Sequence, residues 1–385
     1  MSEAPDAVSL AREVYRLCRG LVSGEVTGTA FVDAAGVHLH PGDRPAVVLA
    51  TSGSASGTPK RVLIPLDALR ASAEATAERL GRPGRWVSCL PAQFVGGFQV
   101  LFRSALAGIE PLFLAPGRGL PESLAGLAGA APGARPTYIS LVPAQLRAAL
   151  SHPGAREALA RFGAVLIGGD SLDAGLRTEA EAAGVAVVST YGMTETCGGC
   201  VYDGVPLRGV RVRVRDDGRV LLAGPQLVAG YLDPAPRPDA PARLASDQPF
   251  EVTGGVRWLV TGDVGNWDGH RLVVSGRADD VIVTGGRNVS PAEVEDALRR
   301  VAGGVLRGVD WAVSGVPDPT WGSVLVLALA GRRQTAGQEL LDAFAAMPSH
   351  LRPRRVIELD ALPRTDSGKL NRRLLAVECA AAQGV

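Results

Sequence analysis

The ten residues 51–60, TSGSASGTPK, combine small and hydroxylated side chains with one cation and no acidic group. Glycine lets backbone N–H groups approach an anion without a clash at Cβ, and hydroxyl and ammonium groups add further donors. These residue types together indicate a loop that holds phosphate groups. The candidate donors are Thr51, Ser52, Gly53, Ser54, Gly57, Thr58 and Lys60.

The residues after this loop exclude a Walker loop. Pro59 separates Thr58 from Lys60, and Arg61 follows the lysine. A Walker loop instead places Gly-Lys-Ser/Thr at the start of a helix. The next segment, VLIPLDAL (62–69), predicts a strand followed by a helix. The loop is therefore not that of a kinase or GTPase of the Walker type.

Four further blocks place polar residues where they could act on a nucleotide. They are STYGMTET (189–196), TGD (261–263), GRADDVIVTGGRNVSPAEVE (276–295) and PRTDSGKLNRR (363–373). With the Gly/Ser loop, and in this order and spacing, they resemble the adenylate-forming superfamily of acyl-CoA synthetases, peptide-synthetase adenylation domains and luciferases. The resemblance covers about residues 45–375, and five blocks in order make it specific.

The resemblance implies a reaction in two steps. A carboxylate attacks the α-phosphate of ATP to give an acyl-adenylate and pyrophosphate, and a thiol, usually that of coenzyme A, then releases AMP. Two anions meet in the first step, so positive charge and Mg²⁺ must neutralise them. The implied partners are a small carboxylic acid, ATP, Mg²⁺ and coenzyme A. Neither nucleic acid nor a membrane is expected, and a homodimer is left open.

The same resemblance assigns roles to individual residues. It implies that Thr194 contacts the α-phosphate and that the Glu195 carboxylate binds Mg²⁺, a hard ion that prefers oxygen. Lys369 would bridge the carboxylate and the α-phosphate. The implied nucleoside contacts are Tyr191 and Gly192 with Gly168, Gly169 and Asp170 at the adenine, and Asp263 and Arg277 at the ribose.

The resemblance also implies a small C-terminal domain that rotates between the half-reactions. Asp279 falls at the hinge position, in the polar turn Arg277–Asp280. Gly285 and Gly286 would line the channel for the pantetheine arm of coenzyme A. The expected domains are 1–278, with a β-rich subdomain at about 201–275, and 279–385.

The chain is short for this superfamily, and the segments 90–108 and 191–210 resemble actinobacterial o-succinylbenzoate–CoA ligases of menaquinone biosynthesis. This implies 2-succinylbenzoate as the acid. The residues expected at the acyl pocket are Gln93, Phe94, Gly97, Phe98, Leu141, Gly198 and Gly199. Residues 92–97 lack the histidine usual in the family. The second carboxylate of the acid needs a counter-charge, and Arg103 and Arg208 lie in nearby segments.

Three alternatives are compatible with the same motifs. The chain could be another aryl- or acyl-CoA ligase, a freestanding adenylation enzyme that loads a carrier protein, or a non-catalytic nucleotide-binding homologue. Retention of Lys60, Glu195, Asp263 and Lys369 together argues against the last of these.

Hydrophobic periodicity predicts the elements that must position these residues. Residues 46–50 predict a strand that ends at the Gly/Ser loop. Short apolar strands then alternate with helices as far as residue 190, which indicates an α/β fold with a parallel, doubly wound sheet. Asp217-Gly218 and Asp268-Gly269 indicate hairpins in the β-rich part. A small α+β domain follows.

Composition limits the class of protein. The net charge is +1, which gives no global field for nucleic acid or an acidic membrane. No run of 18 apolar residues is present. Five cysteines do not make a disulfide framework, so a cytoplasmic enzyme is expected. Cys197 and Cys200 have redox or zinc spacing but no second Cys/His pair at zinc-site distance, and we expect them to line a pocket floor.

Overall fold

The computed structural model describes residues 6–42, 44–51, 59–128, 135–233, 243–306, 309–331, 337–365 and 369–382. The helices are α1 (Ala7–Ser23), α2 (Leu66–Arg79), α3 (Val95–Leu106), α4 (Leu120–Ala125), α5 (Pro143–Leu150), α6 (Pro153–Ala160), α7 (Ala174–Ala182), α8 (Pro291–Ala302), α9 (Gly337–Ala345) and α10 (Arg372–Ala382). None of these helices is both long and apolar enough to cross a membrane.

The strands are β1 (Thr29–Asp33), β2 (Gly36–His40), β3 (Ala46–Ala50), β4 (Arg61–Pro65), β5 (Arg85–Ser88), β6 (Leu112–Phe113), β7 (Thr137–Leu141), β8 (Ala164–Ile167), β9 (Val187–Met193), β10 (Gly198–Tyr202), β11 (Val205–Pro206), β12 (Arg211–Val214), β13 (Arg219–Ala223), β14 (Gly230–Tyr231), β15 (Phe250–Thr253), β16 (Val256–Trp267), β17 (Leu272–Arg277), β18 (Ile282–Thr284), β19 (Arg287–Val289), β20 (Trp311–Asp318), β21 (Gly322–Ala330) and β22 (Arg355–Leu359).

The chain divides into two compact units. The first unit comprises Met1–Arg213, Leu221–Thr261 and Trp267–Leu272, and the second comprises Val214–Val220, Gly262–Asn266 and Val273–Val385.

A seven-stranded sheet forms the centre of the first unit, in the order β11-β10-β9-β8-β7-β5-β6. Strands β6, β5, β7, β8 and β9 are parallel, and β10 and β11 extend the sheet antiparallel. Side chains alternate between its faces: Ile139 and Val165 join a cluster with α4–α7, whereas Tyr138 and Leu166 join a cluster with α2 and α3. Helices cover both faces, so the predicted doubly wound α/β fold is confirmed.

A second sheet of the first unit carries the phosphate-type loop. Its order is β14-β4-β3-β1-β2, with β1 and β3 parallel and β3 and β4 antiparallel. The predicted strand at residues 46–50 is β3, and it belongs to this sheet rather than to the parallel one. Helix α1 packs its apolar face here, with Asp6 capping its first turn and Gly24 ending it in the left-handed conformation.

The predicted hairpins form at Asp217-Gly218 and at Asp268-Gly269, with φ of +80° and +94° at the two glycines. They belong to a sheet in the order β12-β13-β16-β15, to which β17 adds by pairing with β16. Other strands of the region 201–275 join the sheets already described: β10 and β11 extend the parallel sheet, and β14 pairs with β4.

The rest of the second unit contains the β18-β19 hairpin and a three-stranded sheet, β20-β21-β22. Helices α8 and α9 share one hydrophobic cluster with one face of this sheet, and α10 shares a second cluster with the other face. A partly buried ion pair joins α8 to α10, because both Arg372 terminal nitrogens lie 3.1 Å from the Glu295 carboxylate. Two parallel hydrogen bonds fix the relative orientation of the two side chains and make their interaction stronger.

Candidate active site

Four parallel strands of the first unit end at one edge of the central sheet. Because they run in the same direction, the residues that follow β5, β7, β8 and β9 lie along that edge. The edge receives Gln93 and Phe94 after β5, Gly168, Gly169 and Asp170 after β8, and Tyr191 and Gly192 near the end of β9. It therefore collects the predicted base-contacting residues of this unit and part of the predicted acyl pocket.

Two glycines let the strands approach closely at this edge. A Cβ on Gly168 would lie 2.5 Å from Thr190 Oγ1, whose hydroxyl donates to the Ile167 carbonyl at 3.1 Å. A Cβ on Gly192 would lie 2.7 Å from the Gly199 Cα of the neighbouring strand. Neither position leaves room for a larger side chain, so both glycines are needed for the strand arrangement itself.

Thr194 and Glu195 are held by a short 3-10 turn, Thr194–Thr196. The Thr196 side chain is fully buried and fixes this turn: its hydroxyl donates to the Gly198 carbonyl at 2.7 Å and accepts from the Met193 N–H at 2.9 Å. Thr194 and Glu195 are each 8% exposed. The sequence predicted Thr196 only as part of the acyl wall Gly192–Gly199, and not as the residue that fixes this turn.

Thr51 and Lys60 close the base of the Gly/Ser loop. The Thr51 N–H donates to the Lys60 carbonyl at 2.8 Å, and the Lys60 N–H donates to Thr51 Oγ1 at 3.0 Å. The other predicted loop residues lie outside the described residues: Ser52, Gly53, Ser54, Gly57 and Thr58.

Tyr231 connects this loop to the Thr194–Thr196 turn. Its hydroxyl donates to Glu195 Oε1 at 2.6 Å, and the Lys60 Nζ lies 4.4 Å from the centre of its ring. Gln248 holds the Tyr231 backbone by accepting from its N–H at 2.8 Å and donating to its carbonyl at 3.0 Å. The structure thus brings Lys60 and Glu195 to one aromatic side chain that sequence reasoning missed.

Glu195 fits the chemistry of a magnesium ligand. Mg²⁺ is usually held by one or two carboxylates together with substrate phosphates and water. The described residues contain no group of three or more His, Cys, Asp or Glu side chains placed to hold a metal, so Glu195 would act as a single protein carboxylate. The Tyr231 hydroxyl occupies Oε1 and orients the group.

The predicted acyl-pocket residues do not all lie together. A Cβ on Gly97 would lie 2.6 Å from the Leu90 carbonyl, so this glycine lets α3 approach the end of β5. Phe98 is fully buried in the cluster with α1, where it stacks on Phe102. Leu141 belongs to the cluster with α4–α7, on the face opposite to α3. Gly198 and Gly199 begin β10.

The two arginines considered as counter-charges differ in their surroundings. Arg208 is 61% exposed at its side chain and pairs with Glu78. Arg103 is 8% exposed and lies with its guanidinium 5.1 Å from the Trp86 ring centre. Of the two, only Arg103 is buried.

In the second unit, Arg277 lies between two predicted site residues. Its guanidinium is 3.9 Å from the Asp263 carboxylate and 3.7 Å from that of Asp279. A Cβ on Gly262 would lie 2.6 Å from Arg277 Nη2, so the glycine makes room for the guanidinium beside β16. Asp280 follows Asp279 in the chain. Burial raises the pKa of its carboxyl group, although the nearby charges of Arg372 and Arg277 lower it.

The predicted coenzyme A residues lie in the turn between β18 and β19. Gly285 and Gly286 have φ of +56° and +75°. A Cβ on Gly285 would lie 2.7 Å from the Trp321 ring, whereas a Cβ on Gly286 would meet open space within this unit. The Arg354 guanidinium lies on the same Trp321 ring, 4.1 Å from its centre.

Lys369 lies in a narrow turn just before α10. The Thr365 N–H donates to the Lys369 carbonyl at 2.8 Å, and the Asn371 N–H donates to the Pro363 carbonyl at 2.8 Å. Arg372, paired with Glu295, holds the following turn of helix. Residues 366–368 lie outside the described residues.

A parallel sheet with polar residues at the carboxyl ends of its strands, together with an oriented carboxylate, is typical of nucleotide-binding α/β proteins. The family model "AMP-binding enzyme" matches residues 16–232, and "AMP-binding enzyme C-terminal domain" matches residues 292–369. The chain belongs to the AMP-binding enzyme family.

Its similar proteins include 2-succinylbenzoate–CoA ligases. A probable 2-succinylbenzoate–CoA ligase of Mycobacterium tuberculosis is 40% identical over 354 residues, which are 86% of this chain and 84% of that protein. The o-succinylbenzoate CoA synthetase MenE of Bacillus subtilis, solved with the acyl-adenylate OSB-AMP, is 25% identical with a TM-score of 0.68, covering 94% of this chain and 80% of that one. The same Bacillus enzyme with ATP and a magnesium ion is 27% identical with a TM-score of 0.67, covering 86% and 69%.

Proposed function

We propose that the protein is an AMP-forming acid–thiol ligase that converts 2-succinylbenzoate to 2-succinylbenzoyl-CoA in menaquinone biosynthesis. In the first step a carboxylate oxygen of the acid attacks the α-phosphorus of ATP and pyrophosphate leaves. In the second the thiol of coenzyme A attacks the acyl carbon and AMP leaves. The family membership and the relative at 40% identity over most of both chains support this proposal.

The observation that carries the proposal is the contact chain Lys60–Tyr231–Glu195. It places a cation from the end of the Gly/Ser loop and an oriented carboxylate on one aromatic side chain. A lysine there neutralises phosphate charge, and Glu195 would hold Mg²⁺ against the same phosphates. Bound Mg²⁺ would withdraw charge from the phosphate oxygens as a Lewis acid. Thr194, next to Glu195, would donate to the α-phosphate.

Two groups of residues would contact the nucleoside. Tyr191 and Gly192, with Gly168, Gly169 and Asp170, would contact the adenine. The Asp263 carboxylate would accept from both ribose hydroxyls, which suits a carboxylate because it has two acceptor oxygens. Arg277 lies near Asp263 at 3.9 Å and would hold that carboxylate while reaching the ribose.

Lys369 would neutralise the acid and the α-phosphate in the first step, since a compact charge on a flexible stem can follow developing charge. For the second step we propose that the unit containing Lys369 turns about Asp279. Gly285 and Gly286 would then border the path of the pantetheine arm.

We further propose a cytoplasmic location, which the unpaired state of Cys18, Cys89, Cys197, Cys200 and Cys379 supports.

Acid-dependent exchange of pyrophosphate into ATP tests the first step. We expect exchange with 2-succinylbenzoate to exceed that with benzoate and short fatty acids, and AMP release to require coenzyme A. Exchange with another acid alone would identify a different acyl-CoA ligase. Acyl transfer with AMP release that needs a carrier protein instead of coenzyme A would identify a loading enzyme, and no exchange with any acid would refute the proposal.

Two variants separate the half-reactions. Lys369→Ala should lower adenylate formation by about 10²–10³-fold, as expected for one preorganised charge, and should leave thioester formation from supplied acyl-adenylate nearly unchanged. Gly286→Leu should do the reverse, because its side chain would enter the proposed pantetheine path. Arg373→Ala is the control for the lysine. Gly331→Leu is the control for the glycine, since Gly331 also has positive φ and open surroundings in the same unit. Equal loss of both steps in either variant would contradict the assignment.

A further inference from the structure

An arginine of the first unit, Arg257, holds a stretch of backbone next to the candidate site. It lies on β16, and its guanidinium donates from Nη1 to the Val228 carbonyl at 2.8 Å and from Nη2 to the Ala229 carbonyl at 2.7 Å. The same group lies over the Phe250 ring, 3.5 Å from its centre. These contacts join the cation to backbone oxygens and to an aromatic face, both of which suit a guanidinium.

The backbone that Arg257 holds has no regular secondary structure. Residues 227–229 lie between the turn after β13 and the short strand β14, and Val228 is fully buried. Buried carbonyl groups outside helices and strands need donors from elsewhere in the chain. A guanidinium can supply two of them at once, because its N–H groups form a rigid planar fork that an ammonium group does not have.

The same segment makes two contacts with Glu195. The Val228 N–H donates to the Glu195 backbone carbonyl at 3.2 Å, and the Tyr231 hydroxyl donates to Glu195 Oε1 at 2.6 Å. Arg257 therefore fixes the backbone segment from which the proposed magnesium ligand is held.

We propose that Arg257 is a positioning residue for the metal. Through the segment Val228–Tyr231 it sets the orientation of the Glu195 carboxylate, and so the affinity of the ATP site for Mg²⁺. Outer partners of a metal ligand change affinity because they determine which oxygen is free and where it points. The inference rests on the proposed function and adds to it a residue that acts only through other residues.

Arg257→Lys tests the inference, because it keeps the charge and removes the planar fork. The measurement is ATP binding by isothermal titration calorimetry, without any acid, at a series of Mg²⁺ concentrations and in EDTA. Mutating an outer partner typically weakens metal affinity about 10- to 100-fold, and for a residue one contact further away we expect the half-maximal Mg²⁺ concentration to rise about three- to tenfold. ATP affinity in EDTA should stay nearly unchanged, because a carboxylate binds ATP only through the metal.

A double variant tests whether Arg257 acts through this segment. Residues in one network have non-additive effects, so Arg257→Lys should change the Mg²⁺ requirement less in a Tyr231→Phe background than in the unmodified protein. Arg257→Gln keeps a planar donor group and removes the charge and the second branch of the fork. It should raise the Mg²⁺ requirement at least as far as Arg257→Lys does, and it tests the inference even if Arg257→Lys fails to fold.

The chain offers a matched control in Arg70. Its Nη2 also donates to a backbone carbonyl, that of Val22 at 3.1 Å, but this contact joins α2 to α1. Arg70→Lys should therefore leave the Mg²⁺ requirement for ATP binding unchanged.

The outcomes separate this inference from the proposed function. An unchanged Mg²⁺ requirement in both Arg257 variants would overturn the inference. An equal loss of ATP affinity with Mg²⁺ and in EDTA would also overturn it, since that is the sign of a general structural effect. Full additivity with Tyr231→Phe, or an equal shift in Arg70→Lys, would do the same. The proposed function fails separately, if the unmodified protein exchanges no pyrophosphate with any acid, and ATP binding can be measured whatever that result.

Discussion

At the scale of single residues, the candidate site depends on side chains that orient other side chains. Tyr231 has no proposed contact with a phosphate. Its hydroxyl nevertheless donates to Glu195, and its ring contacts the Lys60 ammonium. Partners of this kind determine where a metal-binding carboxylate points and which of its oxygens is free. The position of Glu195 is therefore a property of three residues from separate parts of the chain.

Tyr231→Phe isolates this effect, because it removes the hydroxyl and keeps the ring beside Lys60. Loss of an orienting partner typically weakens metal affinity 10- to 100-fold, so we expect the Mg²⁺ concentration for half-maximal pyrophosphate exchange to rise by about tenfold. A Mg²⁺ titration at saturating ATP and acid measures it. Tyr15→Phe is the control, since Tyr15 packs on Phe113 away from Glu195. An unchanged Mg²⁺ requirement in Tyr231→Phe would show that the hydroxyl does not orient the carboxylate.

Local sequence could indicate the motif residues but not their supporting partners. Thr194, Glu195 and the Gly/Ser loop lie in short segments of unusual composition, so a functional role can be inferred from the local sequence. Tyr231 is 36 residues from Glu195, and Arg257 is 28 residues from Ala229, whose carbonyl it holds. Such pairs are created by strand order and by helix packing, which no local pattern encodes.

At the scale of elements, apolar periodicity predicted the parallel strands and their covering helices because helices cover both faces of the sheet. It did not predict the partner of β14, a two-residue strand that pairs with β4 of another sheet. So short a segment has no periodicity, and its pairing depends on the register Gly230↔Leu63. This pairing nevertheless places Tyr231 beside Glu195.

The close approach of strand β9 to strand β10 can be tested by one substitution. Gly192→Ala puts a methyl group against the backbone of Gly198 and Gly199, so the strands must separate. Overpacking of this kind costs about 1–3 kcal/mol, and we expect the free energy of unfolding of the first unit to fall by that amount in urea. Gly126→Ala is the control, because Gly126 has an ordinary φ of −63° and the nearest atom to a Cβ is 3.4 Å away. Equal effects of the two substitutions would show that β10 adapts without strain.

At the scale of the whole chain, the residues of the proposed reaction are divided between two units with separate hydrophobic cores. The first unit holds Lys60, Glu195 and Tyr191, and the second holds Asp263, Arg277 and Lys369.

The cysteines provide a test of the whole fold, because they are distributed over both units. Burial raises the pKa of Cys200 and of Cys89 to about 12 and that of Cys379 to about 11, and it also raises the pKa of Cys18 and Cys197. The thiolate is the reactive form, so at pH 8 a thiol with a pKa near 12 is only about 10⁻⁴ ionised.

We expect the native protein at pH 8 to react with iodoacetamide roughly 10³-fold more slowly than the same chain in guanidinium, where ordinary thiol pKa values return. Because the thiolate fraction rises tenfold per pH unit below the pKa, the native rate should rise with pH up to the onset of unfolding. Mass spectrometry at intervals would count the labelled cysteines. The pair Cys197 and Cys200, which are 0% and 1% exposed, gives the sharpest test. Rapid labelling of either thiol, or a disulfide between them after mild oxidation, would mean that this segment is an exposed redox pair and not buried.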